Sequence, residues 1–105
     1  MKINAILINP RDNVAVATAA IKAGEAIVGV PGRELTARED IRPNHKVALA
    51  DIPAGRRVIK YGESIGVASH TIQAGEWVHT HNLKDRGSVL QFSINDFPRY
   101  LSRVN

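Results

Sequence analysis

The stretch Ile72-Gln73-Ala74-Gly75-Glu76-Trp77-Val78 decides the fold, because residues 21–27 and 52–58 repeat its pattern. Each copy has an isoleucine, one spacer, Ala-Gly, two spacers and then the apolar start of a strand candidate. Glycine adopts the positive φ that a tight turn before a strand requires, and the isoleucine is placed to fill the core beneath that turn. The glycines are unevenly spaced, so the pattern predicts one turn device reused within a compact β-domain, not a solenoid.

Alternating apolar residues, separated by Gly, Pro, Asn and Asp, predict β-strands along most of the chain. The strand candidates are residues 3–8, 13–17, 26–30, 46–50, 57–61, 65–69, 76–81 and 89–94. Short helices are predicted at residues 17–23 and 96–103; Asp96 is a candidate cap for the second, and Pro98 is tolerated in its first turn. We therefore predict an all-β domain over residues 1–84 and a C-terminal extension, residues 85–105, that packs on the domain or on a partner.

The composition excludes several classes of protein. A chain of 105 residues with 44% hydrophobic and only 5% aromatic residues fits one domain whose core is built from Val, Ile, Leu and Ala. The absence of cysteine excludes disulfides and thiolate metal sites. The net charge of +4 is scattered, and its one tight group, Arg56, Arg57 and Lys60, has no aromatic platform, which argues against nucleic-acid binding. No apolar run suits a signal peptide or a membrane span, so a cytoplasmic protein without a membrane partner is expected.

The strongest local signal for chemistry is the segment Trp77 to Asn82. In a strand, Trp77, His79 and His81 would point to one face. Two imidazoles on a rigid strand can both bind one metal ion, or one can bind it while the other transfers a proton. Asn82 offers a donor and an acceptor at the end of that strand. The alternative is an exposed edge strand whose two histidines have no function.

Other polar residues stand near predicted turns and strand ends. His45 is a candidate acid, base or further ligand, or else a surface residue. Lys46 and Lys60 are candidates for binding a substrate carboxylate, or are simply solvated. Asp12 suggests a local Asx-type turn, and His70 is interpreted as a surface residue.

Five blocks occur in one order along residues 11–84: Asp12 to Ala17, His45 to Leu49, Val58 to Gly62, Ile65-Gly66 and Val78 to Asn82. Together they resemble the small SAF domain of the altronate and galactarate dehydratase family. The resemblance implies a β-clip fold and a part in metal-assisted β-elimination of water from an aldonate or aldarate. A related sulfolactate sulfo-lyase has this domain as a separate small subunit, so a large dehydratase subunit encoded separately is the expected partner.

The resemblance also implies roles for residues of this chain. The expected catalytic residues are His45, His79 and His81, the expected substrate-binding residues are Lys46, Lys60 and Asn82, and the expected metal ligands are His79 and His81. The metal is expected to be divalent iron or manganese. The chain departs from the family by having Asn9 and Trp77 in place of histidines and Asn44 in place of a glycine, which favours metal binding only together with the large subunit.

Two other functions stay open. One is the small subunit of a sulfolactate sulfo-lyase-like enzyme. The other is a non-catalytic SAF module that binds an acidic sugar or self-associates as a homo-oligomer.

Overall fold

The computed structural model describes residues 2–85, and these residues form nine β-strands without a helix. The strands are β1 (Ala5–Ile6), β2 (Val14–Ala17), β3 (Ala26–Ile27), β4 (Leu35–Thr36), β5 (Lys46–Ala48), β6 (Arg57–Lys60), β7 (Glu63–Ala68), β8 (Trp77–Val78) and β9 (Leu83–Asp85). The predicted all-β class is thereby confirmed. The strand predicted at 89–94 and the helix predicted at 96–103 lie outside the described residues. Within residues 2–85, nothing has the length and apolar character of a membrane-crossing helix.

A four-stranded antiparallel sheet, in the order β1-β2-β5-β8, lies at the centre of the fold. The hairpin β3-β4 and the three-stranded sheet β6-β7-β9 are separate from it. Opposite residues on antiparallel strands share a face, so Ala15, Val47 and Trp77 form a row on one face of the central sheet. Lys46 and Val78 lie in a row on the other face.

Each face of the central sheet packs on its own hydrophobic core. The buried residues of the first core are Ala5, Ala15, Ala17, Ile21, Ile27, Val30, Ala37, Ile41, Val47 and Leu49. Those of the second core are Val14, Ala48, Ile52, Val58, Ala68, Ile72 and Val78. The sheet therefore separates two small cores, which the sequence did not predict. Both cores are aliphatic, as the low aromatic content led us to expect.

The turn pattern read from the sequence is part of a longer unit that occurs at residues 17–27, 37–47, 48–58 and 68–78. Each unit begins with alanine, continues with an isoleucine four residues later, and ends with a buried valine or isoleucine. The residue three positions after the isoleucine has a positive φ in every unit: Gly24, Asn44, Gly55 and Gly75. The unit at 37–47 was missed in the sequence because asparagine replaces glycine there; asparagine tolerates the left-handed conformation.

The units hold each other in reciprocal pairs. In the first pair, the N–H of Gly24 donates to the carbonyl of Ala37 at 2.8 Å, and the N–H of Asn44 donates to the carbonyl of Ala17 at 2.7 Å. The second pair repeats this arrangement, with bonds from Gly55 to Ala68 and from Gly75 to Ala48, both 2.8 Å. The isoleucines of each pair form a β-bridge, Ile21 with Ile41 and Ile52 with Ile72.

Two local predictions were wrong. The helix predicted at residues 17–23 is absent. Ala17 is the last residue of β2 and its carbonyl accepts the N–H of Asn44, while Ile21 is held in a β-bridge with Ile41. The strand predicted at 76–81 ends at Val78. Strands β4 and β9 were not predicted, since they are short and lack an apolar alternation.

Candidate functional site

The side chain of Asn82 ends β8 and folds the following residues into a turn. Its Oδ1 accepts the N–H of His79 at 2.9 Å, and its Nδ2 donates to the carbonyl of Trp77 at 2.8 Å. The backbone N–H of Asn82 also donates to the carbonyl of His79, at 3.1 Å. Asn82 is only 4% exposed. His79 and His81 are therefore presented by a closed turn and not by a straight strand, which corrects the geometry predicted for them.

The turn gathers three histidines around the indole of Trp77, and we call Trp77, His45, His79 and His81 the imidazole cluster. The ring of His79 stacks on the indole with centroids 5.2 Å apart and an interplanar angle of 12°. The ring of His81 lies 4.8 Å from the indole. His45 joins from the start of β5, with its ring centroid 4.8 Å from that of His79. His45 and His79 are far apart in the sequence, so their contact was not predicted.

A direct hydrogen bond connects the two strands that carry the cluster. The Nε1–H of Trp77 donates to Nδ1 of His45 at 3.0 Å. The backbone of Trp77 is fixed as well, because its N–H donates to a carboxylate oxygen of Glu39 at 2.9 Å. His45 occupies the last position of the turn of Asn44, whose N–H is bonded to Ala17. The cluster thus rests on backbone contacts from three segments.

Two lysines lie near one another beyond the cluster: Lys46, which follows His45 in the chain, and Lys60. Lys46 is half-buried. The pKa of its ammonium group is lowered mainly by this burial and also by the charge of Lys60. The ammonium of Lys60 lies 4.6 Å from the centre of the Tyr61 ring, a cation–π contact. The two ammonium groups are therefore close enough for the charge of Lys60 to disfavour that of Lys46.

The electrostatics around His79 are positive. Loss of solvent lowers the pKa of its imidazole first, and neighbouring groups lower it further. Those neighbours, in order of effect, are His45, Lys46, His81 and Arg42. Each acts against the imidazolium form, so His79 is kept neutral near pH 7 and retains a lone pair for a proton or a metal ion.

Asp12 positions the end of β6, and sequence reasoning assigned it only a local turn. Its Oδ2 accepts the N–H groups of Asn9 at 3.1 Å and Tyr61 at 3.0 Å, while its Oδ1 accepts the N–H of Gly62 at 2.8 Å. The local Asx-type turn belongs to Asn9 instead, whose Oδ1 accepts the N–H of Arg11. The structure gives Tyr61 and Gly62 a positive φ; in the sequence, only the glycine that follows the strand candidate 57–61 marked this corner.

The predicted site residues are only partly gathered. His45, His79 and His81 lie together, with Lys46 within electrostatic reach of His79. Lys60 is near Lys46, and Asn82 uses its amide to hold the turn. His70 is exposed and contacts its neighbour Ser69. The catalytic and binding roles stay predictions.

A complete metal site is not formed by the described part of the chain. No group of three or more His, Asp or Glu side chains within residues 2–85 is placed to hold a metal ion. Imidazole nitrogens such as those of His79 and His81 are suitable donors for iron or manganese, but they provide at most two ligands. The predicted metal would therefore need ligands from elsewhere.

Two depressions among the described residues lie away from the imidazole cluster. One, of about 470 Å³, is lined in part by Asn13, Asp51, Arg56 and Arg57. Another, of about 520 Å³, follows the hairpin β3-β4. In the cluster, by contrast, His81 is exposed and His45 and His79 are half-buried on an open face.

The fold and the site now allow a comparison with known proteins. The family model described as the altronate/galactarate dehydratase SAF domain matches residues 3–86. The chain belongs to this family, as the resemblance of its sequence blocks predicted.

The relatives are enzymes or enzyme subunits that differ in size. Altronate dehydratase of Escherichia coli strain K12 is 47% identical over 85 residues, which is 81% of this chain and 17% of that enzyme. Galactarate dehydratase (L-threo-forming) of the same strain is 43% identical over 70% of this chain and 14% of that enzyme. The (2R)-sulfolactate sulfo-lyase subunit alpha of Paracoccus pantotrophus is 50% identical over 50% of this chain and 78% of that subunit. The chain thus spans less than a fifth of the dehydratases but most of the sulfo-lyase subunit.

Proposed function

We propose that this chain is the small subunit or domain of a sugar-acid dehydratase, a hydro-lyase that removes water from an aldonate or aldarate by β-elimination. The observation that carries the proposal is the gathering of His45, His79 and His81 around Trp77, with His81 exposed. Lys46 and Arg42 add positive charge near His79 and lower its pKa further. Positive charge there favours a substrate with a carboxylate.

The proposed chemistry requires a base that is unprotonated near neutral pH. β-Elimination removes the proton next to the carboxylate and protonates the departing hydroxyl group. His79 suits the role of base, or of metal ligand, because its lowered pKa leaves it neutral. Lys46 and Lys60 are proposed to bind the substrate carboxylate. Asn82 is proposed to act indirectly, by holding the turn that carries His79.

A large subunit is proposed to complete the site. The imidazole cluster is open to solvent on this chain, whereas elimination requires a cavity that excludes bulk water. The small share of the dehydratases that this chain spans supports a further domain or chain. A divalent metal, iron or manganese, would stabilise the charge that develops next to the carboxylate. His79 and His81 would supply two of its ligands, and the large subunit would supply the others.

The experiment is a comparison of two histidine variants in the assembled enzyme. The chain is co-expressed and purified with the large dehydratase subunit encoded in the same genome, and turnover is measured for a set of aldonates and aldarates. His79→Ala is expected to lower kcat at least about 100-fold, the usual contribution of a general acid or base. His70→Ala, an exposed histidine outside the cluster, is the matched control and should leave turnover unchanged. Equal activity of His79→Ala and the unmodified enzyme would refute the assignment.

A sulfo-lyase is the second candidate, because this chain spans 78% of a sulfolactate sulfo-lyase subunit alpha. The two reactions share a carboxylate substrate and differ in the leaving group, hydroxide or sulfite. Sulfite release from sulfolactate by the same purified complex would favour this candidate over the dehydratase. If the chain purifies alone or as a homo-oligomer and binds sugar acids without turnover, the non-catalytic module is correct.

A further inference from the structure

We propose that Trp77 is a positioning residue that fixes the tautomer of His45 and thereby makes His45 a hydrogen-bond donor toward the substrate and not a metal ligand. The catalytic meaning of this assignment rests on the proposed function. The tautomer itself does not, since it follows from one contact within the chain.

The contact has only one possible direction. An indole N–H donates and never accepts a hydrogen bond. Nε1 of Trp77 lies 3.0 Å from Nδ1 of His45, so Nδ1 must present its lone pair and carry no proton. In a neutral imidazole one nitrogen carries the proton and the other accepts. Neutral His45 therefore carries its proton on Nε2.

This tautomer leaves His45 with no lone pair for a metal ion. Its Nδ1 lone pair is occupied by the indole, and its Nε2 is a donor. What His45 can offer is an Nε2–H group directed away from Trp77, which suits an oxygen of the substrate. His79 lies beside it, with ring centroids 4.8 Å apart, and is the neighbour that retains a lone pair. Two adjacent imidazoles thus have different roles: His45 donates a hydrogen bond through Nε2–H, and His79 keeps a lone pair.

Trp77 is held firmly enough to impose this choice. Its N–H is bonded to Glu39 and its carbonyl to Nδ2 of Asn82. Across the sheet, Trp77 pairs with Val47. Val47 is two residues after His45 in the chain. Its ring stacks on His79 at an angle of 12°. The indole is therefore fixed through both its backbone and its ring, and the position of its N–H is set before any substrate binds.

The test is a nitrogen NMR measurement on the full chain at about pH 8, where ordinary histidines are neutral. In the unmodified protein we expect a scalar coupling across the hydrogen bond from Nε1–H of Trp77 to Nδ1 of His45, and an Nδ1 shift typical of an unprotonated nitrogen. In Trp77→Phe, which keeps an aromatic ring but removes the donor, the Nδ1 shift should move toward that of His70. The shifts of His70 itself should not change.

The outcomes separate this inference from the proposed function. A protonated Nδ1 of His45 in the unmodified protein, or no coupling to the indole, overturns the inference without any need for the variant to fold. If the coupling is present but the assembled complex has no lyase activity, the proposed function fails and the tautomer assignment stands. If the complex is active, Trp77→Phe should lower kcat about tenfold with KM changed less than twofold, as loss of one oriented hydrogen bond predicts.

Discussion

Oδ1 of Asp12 accepts the N–H of Gly62 at 2.8 Å, although the two residues are 50 positions apart in the chain. The second carboxylate oxygen accepts the N–H of Tyr61. Asp12 is only 5% exposed, so these charge-assisted bonds are shielded from water. One buried carboxylate therefore fixes the corner that follows Lys60.

Replacing Asp12 should be costly. Asp12→Ala leaves the N–H groups of Tyr61 and Gly62 without their acceptor, and hydrogen bonds to charged groups contribute about 1.5–3 kcal/mol each. We expect the free energy of unfolding to fall by about 2–4 kcal/mol in urea denaturation. The control is Asp51→Ala, an exposed carboxylate that accepts one bond, from the N–H of Ala74. A cost no larger than that of the control would contradict the role given to Asp12.

Two glycines in equivalent turns allow a direct test of close packing. Gly55 and Gly75 have nearly the same φ, +85° and +91°, but a Cβ at Gly55 meets nothing within 4 Å, whereas a Cβ at Gly75 would clash with the carbonyl oxygen of Thr36. Gly55→Ala should cost about 1–2 kcal/mol from backbone strain alone. Gly75→Ala should cost a further 1–3 kcal/mol or so from overpacking. Thermal or urea unfolding of both variants measures the difference; equal costs would mean that the contact with Thr36 relaxes freely.

The stability of the chain should depend on pH through His79. Its pKa in the folded chain lies below the ordinary value of about 6.5, so the unfolded chain binds the proton more readily. This contribution to stability is complete above about pH 6.5 and is lost as the pH falls toward the folded pKa. Urea midpoints measured at about pH 7.5 and 5.5 should therefore differ less in His79→Gln than in the unmodified chain. His70→Gln is the control, and a pH dependence identical in all three proteins would show that His79 does not contribute.

Lys60 should affect substrate binding more than turnover. If its ammonium pairs with a substrate carboxylate, Lys60→Met in the assembled enzyme should raise KM roughly tenfold, which corresponds to about 1.4 kcal/mol, with little change in kcat. Lys22, exposed on a turn of the first unit, provides the control Lys22→Met. Steady-state kinetics with the preferred sugar acid checks the prediction. An unchanged KM would remove Lys60 from the binding site.

The turns were the most predictable part of the fold. Ala-Gly after a spaced isoleucine marks three of the four units directly, because glycine is the usual residue at a positive φ. Asn44 hid the fourth unit, since asparagine stands where the other units have glycine, although it too has a positive φ. The alanine-rich segment after Ala17 suggested a helix because local composition does not report a bond to a residue far along the chain.

The sequence suggested the candidate residues of the site, but not the geometry that brings them together. His79 and His81 were read as neighbours on a strand, whereas the buried side chain of Asn82 turns the chain after Val78. The hydrogen bond from Trp77 to His45 joins residues 32 positions apart, so the spacing of residues in the sequence does not predict it. Tertiary contacts of single polar side chains decide these details, and they become visible only when the strands are paired.

The reciprocal units have a consequence for how the chain loses its structure. Val47 ends the second unit and belongs to the first core, while the next residue, Ala48, begins the third unit and belongs to the second core. A single peptide bond in β5 thus joins the pair of units around the first core to the pair around the second core. The two pairs cannot separate without opening the central sheet, which both share. Melting should therefore be all-or-none, with neither half surviving as an intermediate.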